Sequence, residues 1–154
     1  MKKKVWVAVS GGFDPIHAGH VRLFRRAREL GDALVIILNN DNWLRQKKGH
    51  VFMPQAERKE VIEALRDVDR VVVTKHPPHP KDMSVCRELR AVRPQIFANG
   101  GDRHKGNVPE VSVCEEIGAR MIDNVGEGGK VQSSSWLLAN YLKLAAGKPR
   151  KGKR

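Results

Sequence analysis

Ser10-Gly11-Gly12-Phe13-Asp14-Pro15-Ile16-His17-Ala18-Gly19-His20 follows directly on the apolar run Val5-Trp6-Val7-Ala8-Val9 and leads into a segment of helical period. The apolar, β-branched run predicts a strand over residues 5–10, buried on both faces. Two glycines let the backbone approach a ligand closely or adopt positive φ. His17 and His20 stand three apart at the expected helix start, so both rings can face the same side. That helix terminus offers N–H groups and a positive partial charge, and Gly19 leaves space above it. The ensemble suits a phosphate. Two histidines at this spacing also fit a zinc pair, with no obvious third ligand, or a purely structural pair.

Outward from this loop, apolar runs alternate with helix-period segments. Residues 20–30 read as a helix with Val21, Phe24, Ala27 and Leu30 on one face. Further strands are expected at 33–39, 70–74, 95–99 and 119–123. Further helices are expected at 54–65 with Pro54 near the first turn, at 82–92 ending before Pro94, at 109–117, and at 133–145 with Ser133 or Ser134 as cap. Residues 39–48, the proline-rich 75–81 and the glycine-rich 125–132 read as loops. This β-α alternation predicts an α/β fold: a doubly wound, parallel five-stranded sheet with helices on both faces. Ligands in such folds bind beyond the carboxyl ends of the strands, so the loops after the strands are where a site is expected.

The chain has 154 residues, enough for one domain with a core that needs no disulfide or structural metal. The domain is expected over 1–146, with 147–154 a disordered basic tail. No apolar run approaches the roughly 20 residues of a membrane span. The run at 5–9 is too short for a signal peptide's apolar core, so a cytoplasmic protein without membrane contact is expected. Cys86 and Cys114 form no CxxC pair and read as buried reduced thiols. The net charge of +12 points toward polyanions. Nine of those charges sit on Lys2, Lys3, Lys4, Lys143, Lys148, Arg150, Lys151, Lys153 and Arg154, which leaves +3 for the body. The tail reads as solubilising, with weak RNA contact as its functional alternative.

Gly12 to His20 closely resembles the signature of the cytidylyltransferase-like nucleotidyltransferases, which carry a His-x-Gly-His motif. The resemblance spans roughly residues 5 to 140. Lys47-Lys48-Gly49 looks like the family's lysine-glycine loop, and Gln55-Ala56-Glu57-Arg58 like its arginine helix. Leu65-Arg66-Asp67-Val68-Asp69-Arg70-Val71 is similar to its turn into strand three. Asn99-Gly100-Gly101-Asp102 resembles the Gly-Gly-Asp loop of bacterial heptose-phosphate adenylyltransferases. Ser133-Ser134-Ser135 is similar to the Ser/Thr cluster that opens the last helix.

The resemblance implies a Rossmann-like nucleotidyltransferase. It would transfer a nucleotidyl group from ATP or CTP to a phosphosugar, phosphopolyol or phosphoalcohol and release pyrophosphate. His17 and His20 would donate to phosphate oxygens, Lys48 (or Lys47) would clamp phosphates from a mobile loop, and Arg58 would reach the β- or γ-phosphate. Gly11, Gly12, Phe13, Asp14 and Gly19 would shape the phosphate loop, with Asp14 orienting it or sitting near the metal. Gly101 and Asp102 would lie near base and ribose, and Arg103 would reach toward the acceptor. Ser133, Ser134 and Ser135 would hold the leaving pyrophosphate. Mg2+ would offset the triphosphate charge, held by nucleotide oxygens and water. A homodimer is implied as well. The plainer alternatives are a solvated charge run for the lysines, an exposed helix arginine for Arg58, N-capping for the serines and a turn aspartate for Asp102.

Two departures stand out. Trp136-Leu137-Leu138 follows the serines where the family often has an arginine. Val125-Gly126-Glu127-Gly128-Gly129-Lys130 replaces the Arg-Thr-Glu-Gly string of choline and glycerol phosphate cytidylyltransferases. The first removes any arginine role expected at this helix; the second speaks against those acceptors and their CTP preference, and with the Gly-Gly-Asp loop tilts the reading slightly to ATP. The alternatives are adenylylation of nicotinamide mononucleotide or a flavin nucleotide, and a non-catalytic nucleotide- or RNA-binding module. Trp6 and Trp136 are expected in the core, and Trp43 either there or lining the acceptor pocket.

Overall fold

Five short strands order the molecule. In the computed structural model, which describes residues 2–101, 108–126 and 133–147, they are β1 (Trp6–Gly11), β2 (Ala33–Leu38), β3 (Arg70–Val73), β4 (Ile96–Ala98) and β5 (Arg120–Ile122). All pair in parallel, in the order β3-β2-β1-β4-β5. Among the described residues six helices accompany them: α1 (Ala18–Arg28), α2 (Asp41–Lys48), α3 (Gln55–Glu63), α4 (Cys86–Val92), α5 (Val108–Ile117) and α6 (Ser134–Ala146). The strand order reverses between β1 and β4, which opens a crevice at their carboxyl ends. No helix among the described residues is long and apolar enough to cross a membrane.

The all-apolar β2, Ala-Leu-Val-Ile-Ile-Leu, is buried along its whole length. Its side chains alternate between two cores. Leu34, Ile36 and Leu38 join Val7, Val9 and Ala98 beneath Phe24 and Ala27 of α1 and Ile62 of α3. Val35 and Ile37 join Ala8 and Phe97 against Cys86 and Leu89 of α4 and Val113 and Cys114 of α5. The doubly wound sandwich thus has helices on both faces, as the sequence predicts. The turn into β3 is held by Asp69, whose carboxylate accepts the Leu34 N–H at 2.8 Å and faces Arg28 Nε at 3.1 Å.

Several expectations are corrected. Residues 41–48 form a helix, not a loop. Asn40 caps it by accepting the Trp43 N–H at 3.0 Å, and Gly49 ends it in the left-handed conformation at φ 79°. Four turn-prone residues (Asn39, Asn40, Asp41, Asn42) hid it, because Asn and Asp favour caps as much as loops. The helix expected from residue 82 begins at Cys86. Trp136 is half-exposed rather than core, and Tyr141, Leu142 and Leu144 on the same helix are about two-thirds exposed. Asp102, Arg103, His104, Lys105, Lys130 and the basic tail from Lys148, with the RNA contact read from it, lie outside the described residues.

Candidate active site

A cleft of about 1300 Å3 opens where the strand order reverses. Ser10, Gly11, Gly12 and Phe13 form its floor, with His17, Gly19 and His20 at the start of α1 and Ser133, Ser134 and Ser135 at the start of α6. Two helix N-termini therefore face one cleft, and neither first turn holds an acidic residue. The glycines make room for neighbouring side chains. A Cβ on Gly11 would lie 2.7 Å from the Phe13 ring, and one on Gly12 would lie 2.7 Å from Leu44.

The two histidines lock each other. His17 is the N-cap of α1, and its Nδ1 accepts the Gly19 N–H at 3.0 Å. His20 Nδ1 accepts the His17 N–H at 3.2 Å. This is a reciprocal capping box built from imidazoles instead of the usual Ser/Thr and Glu. A neutral ring whose Nδ1 accepts holds its proton on Nε2. The rings stack with centroids 3.7 Å apart, and Phe13 meets His20 edge-on at 4.9 Å. Burial, then the neighbouring His17 and Lys48, push the His20 pKa down to about 3. His20 is thus a neutral donor at physiological pH.

Lys47 and Lys48 line the cleft from the exposed last turn of α2, on a helix rather than the expected mobile loop. Gly101 also lines it. Ser133 caps α6, accepting the Trp136 N–H at 3.5 Å. Ser134 donates its hydroxyl to Pro15 O at 2.8 Å, which ties α6 to the first loop.

Arg58 does not reach the cleft. It is wholly buried. Its Nε donates to Met53 O, one Nη1 pair to Gly12 O and Asn39 O, and Nη2 to Asp41, all within 2.7–2.8 Å. The guanidinium braces the loops after β1 and β2 from behind. Asp14 acts likewise: its carboxylate accepts the N–H groups of Phe52 at 2.7 Å and Met53 at 2.6 Å. It orients the loop, one of the two roles expected of it, and does not line the cleft.

The sequence reading missed other lining residues: Asn39 and Asn99 just past β2 and β4, Asn124, and Arg22, Arg25 and Arg26 along α1. The arginines stand at helical spacing beyond Gly19, a signal the apolar-face reading of α1 passed over. Trp43 lines the cleft, with its indole N–H bonded to Met83 O at 2.9 Å. His76, bonded to Thr74 and Ser84 and accepting at its carbonyl from Asn40 and Asn42, fastens the 75–84 loop to α2. Among the described residues, no cluster of three or more His, Cys, Asp or Glu could hold a metal ion.

A profile of the family described as cytidylyltransferase-like matches residues 8–120. The chain is 38% identical over 118 residues to the bifunctional protein HldE of Streptomyces coelicolor, covering 75% of this chain and 24% of that protein. It is also 38% identical over 102 residues to the FAD synthase of Pyrococcus horikoshii, covering 66% of each. The chain thus spans about a quarter of the first relative and about two thirds of the second. A lipopolysaccharide core biosynthesis protein from Thermoplasma volcanium superposes with a TM-score of 0.63 at 26% identity, covering 79% of this chain and 96% of that one.

Proposed function

The chain belongs to the cytidylyltransferase-like family of nucleotidyltransferases, and on that premise we propose that it transfers a nucleotidyl group from ATP or CTP to a phosphorylated small molecule. An oxygen of the acceptor phosphate attacks the α-phosphorus in line. One P–O bond forms, the bond to the β-phosphate oxygen breaks, and pyrophosphate leaves. No covalent enzyme intermediate is needed, so catalysis is positioning plus stabilisation of charge on phosphoryl oxygens.

The observation behind this reading is the locked histidine pair at the mouth of α1, opposite the start of α6. Both rings are held against the backbone of α1 before the substrate arrives, and neutral His20 carries Nε2–H as a donor. Preorganised neutral donors suit oxygens on which charge builds. Lys47 and Lys48 add cations at the rim. Magnesium brought in with the nucleotide would offset triphosphate charge. The cleft exceeds the ~300–1,000 Å3 of a one-ligand pocket, which fits two substrates.

The relatives favour ATP as donor, and two acceptor classes are in view: a sugar phosphate and flavin mononucleotide. Thermal shift with ATP, CTP, GTP and UTP, each with magnesium, tests the donor; a nucleotide bound by the folded state raises the melting temperature. Pyrophosphate release on adding each acceptor tests the reaction. The expected result is a shift with ATP or CTP and release with one acceptor class. No shift with any nucleotide and no release with any acceptor overturns the reading.

A further inference from the structure

The two walls of the cleft differ in chemistry. Ala8, Ile37 and Phe97 face the α4–α5 core, and strand side chains alternate. Two residues further along, Ser10, Asn39 and Asn99 face the same side, and all three line the cleft. The ladder geometry persists to that point, since Asn39 N–H donates to Gly11 O at 2.9 Å and Asn99 N–H to Ile122 O at 2.8 Å. Trp43 continues this wall, with Lys47 and Lys48 further along α2 at the rim. The imidazoles stand on the other wall.

Asn39 is the unexplained member. It is 3% exposed. Its main chain is pinned on both sides, by Gly11 O and by the Arg58 guanidinium at 2.7 Å. Yet its side-chain Oδ1 is buried with no hydrogen-bond partner. An orphaned buried acceptor costs free energy in the unliganded protein. The contacts of this residue hold its main chain and leave the side-chain amide, which lines the cleft, for a ligand to complete. A half-turn about the last side-chain bond exchanges the amide oxygen and nitrogen, so the group offers one acceptor and one donor. A hydroxyl, itself both, satisfies either.

Asn39 and Trp43 belong to the β3-β2-β1 half of the cleft, whereas Gly100, Gly101, Asn124 and Gly126 belong to the β4-β5 half. The resemblance implies that the nucleotide's base and ribose lie beside the Gly100–Gly101 loop, which leaves the β2 half, with Asn39 and Trp43, to the acceptor. We propose that Asn39 reads a hydroxyl of the acceptor, so that a phosphate ester is selected by the hydroxyls on its carbon chain. This rests on the nucleotidyl transfer proposed above. Sugar phosphates and flavin mononucleotide, whose phosphate sits on a ribityl chain, share that chemistry.

The test compares kcat/KM for pyrophosphate release with matched probes at saturating magnesium–nucleotide. Ribitol 5-phosphate is set against n-pentyl phosphate, which has the same chain without hydroxyls. Flavin mononucleotide is set against its 10-(5-phosphopentyl) analogue. The wild type is expected to prefer the hydroxylated member of at least one pair by about tenfold or more, as a site built to bond a hydroxyl does. Which pair responds tells a free sugar phosphate from a flavin. Asn39→Leu, and Asn39→Ala as a second variant, are expected to bring that preference close to one while keeping the nucleotide-induced melting shift. Release with the same hydroxyl preference in both variants overturns the assignment of Asn39 alone. No release and no nucleotide-induced shift in the wild type overturns the transfer reaction and this inference together.

Discussion

The guanidinium of Arg58 and the imidazoles of His17 and His20 lie on opposite sides of the same first loop, and the chain holds them in opposite ways. Arg58 is wholly buried and directs four of its five N–H donors to three carbonyls and a carboxylate. The histidines use Nδ1 as acceptors toward the backbone of α1 and line the open cleft. Both belong to motifs of the same family. One set of contacts is closed within the protein, and the other stops at the cleft. The resemblance cannot separate them, because a motif residue is retained equally for touching a phosphate and for placing the loop that does. Burial and the four donors that Arg58 already spends inside the protein separate them.

The largest expected effect follows from the closed set. Arg58→Ala removes one partner of a buried ion pair and strands the carbonyls of Gly12, Asn39 and Met53. The expected cost is about 3–5 kcal/mol of stability, a fall of roughly 10 °C in melting temperature. Arg58→Lys should fall between, since one ammonium cannot span four acceptors. Calorimetry beside steady-state turnover checks this. A variant that melts like the wild type yet loses turnover would break the comparison and return Arg58 to the phosphates.

Next comes the histidine pair, where the effect belongs to turnover. His20→Ala is expected to lower kcat by about 10²-fold, the scale for losing one preorganised donor. His17→Asn sharpens the point, because asparagine caps a helix well: stability should hold while turnover falls by a similar factor. Near-normal turnover in both would remove the histidines from the chemistry. A second readout concerns acid. Folded His20 stays neutral down to a pKa of about 3, whereas the unfolded chain takes up that proton near 6.5. Protons bound only by the unfolded state lower stability as pH falls through that window. His20→Ala should therefore flatten the stability–pH curve between about pH 6 and 4. An equally steep curve in the variant would assign the acid sensitivity elsewhere.

The sheet was legible because its determinants are local. Ala33 to Leu38 is an unbroken apolar strand, and Gly11-Gly12 ends the first one where a Cβ has no room. The cleft's location followed from topology. Helix α2 was not legible, since Asn40, Asp41 and Asn42 serve caps and turns equally and only the left-handed Gly49 closes the case. The roles of Arg58 and Asp14 were hidden for another reason. Each depends on a partner distant along the chain: Gly12 O lies 46 residues from Arg58 and Phe52 N lies 38 from Asp14. No spacing rule reports contacts of that range. Trp136 misled because composition favours burial of tryptophan, while α6 leaves it half-exposed.

Ser134 sits between the two regions and gives the smallest effect. Its hydroxyl proton goes to Pro15 O at 2.8 Å, so the side chain ties α6 to the loop and has no second proton for a phosphate. What α6 offers a leaving pyrophosphate is then the backbone of its first turn, which substitution leaves in place. Ser134→Ala should cost about 0.5–1.5 kcal/mol, the usual worth of one hydrogen bond. Turnover should fall less than about tenfold, well short of the ~10²-fold of a lost preorganised donor. Turnover down by that larger factor at an unchanged melting temperature would mean that the hydroxyl leaves Pro15 for the substrate. Ser134 would then join the histidines on the open side, and the line between closed and open contacts would run through a single side chain.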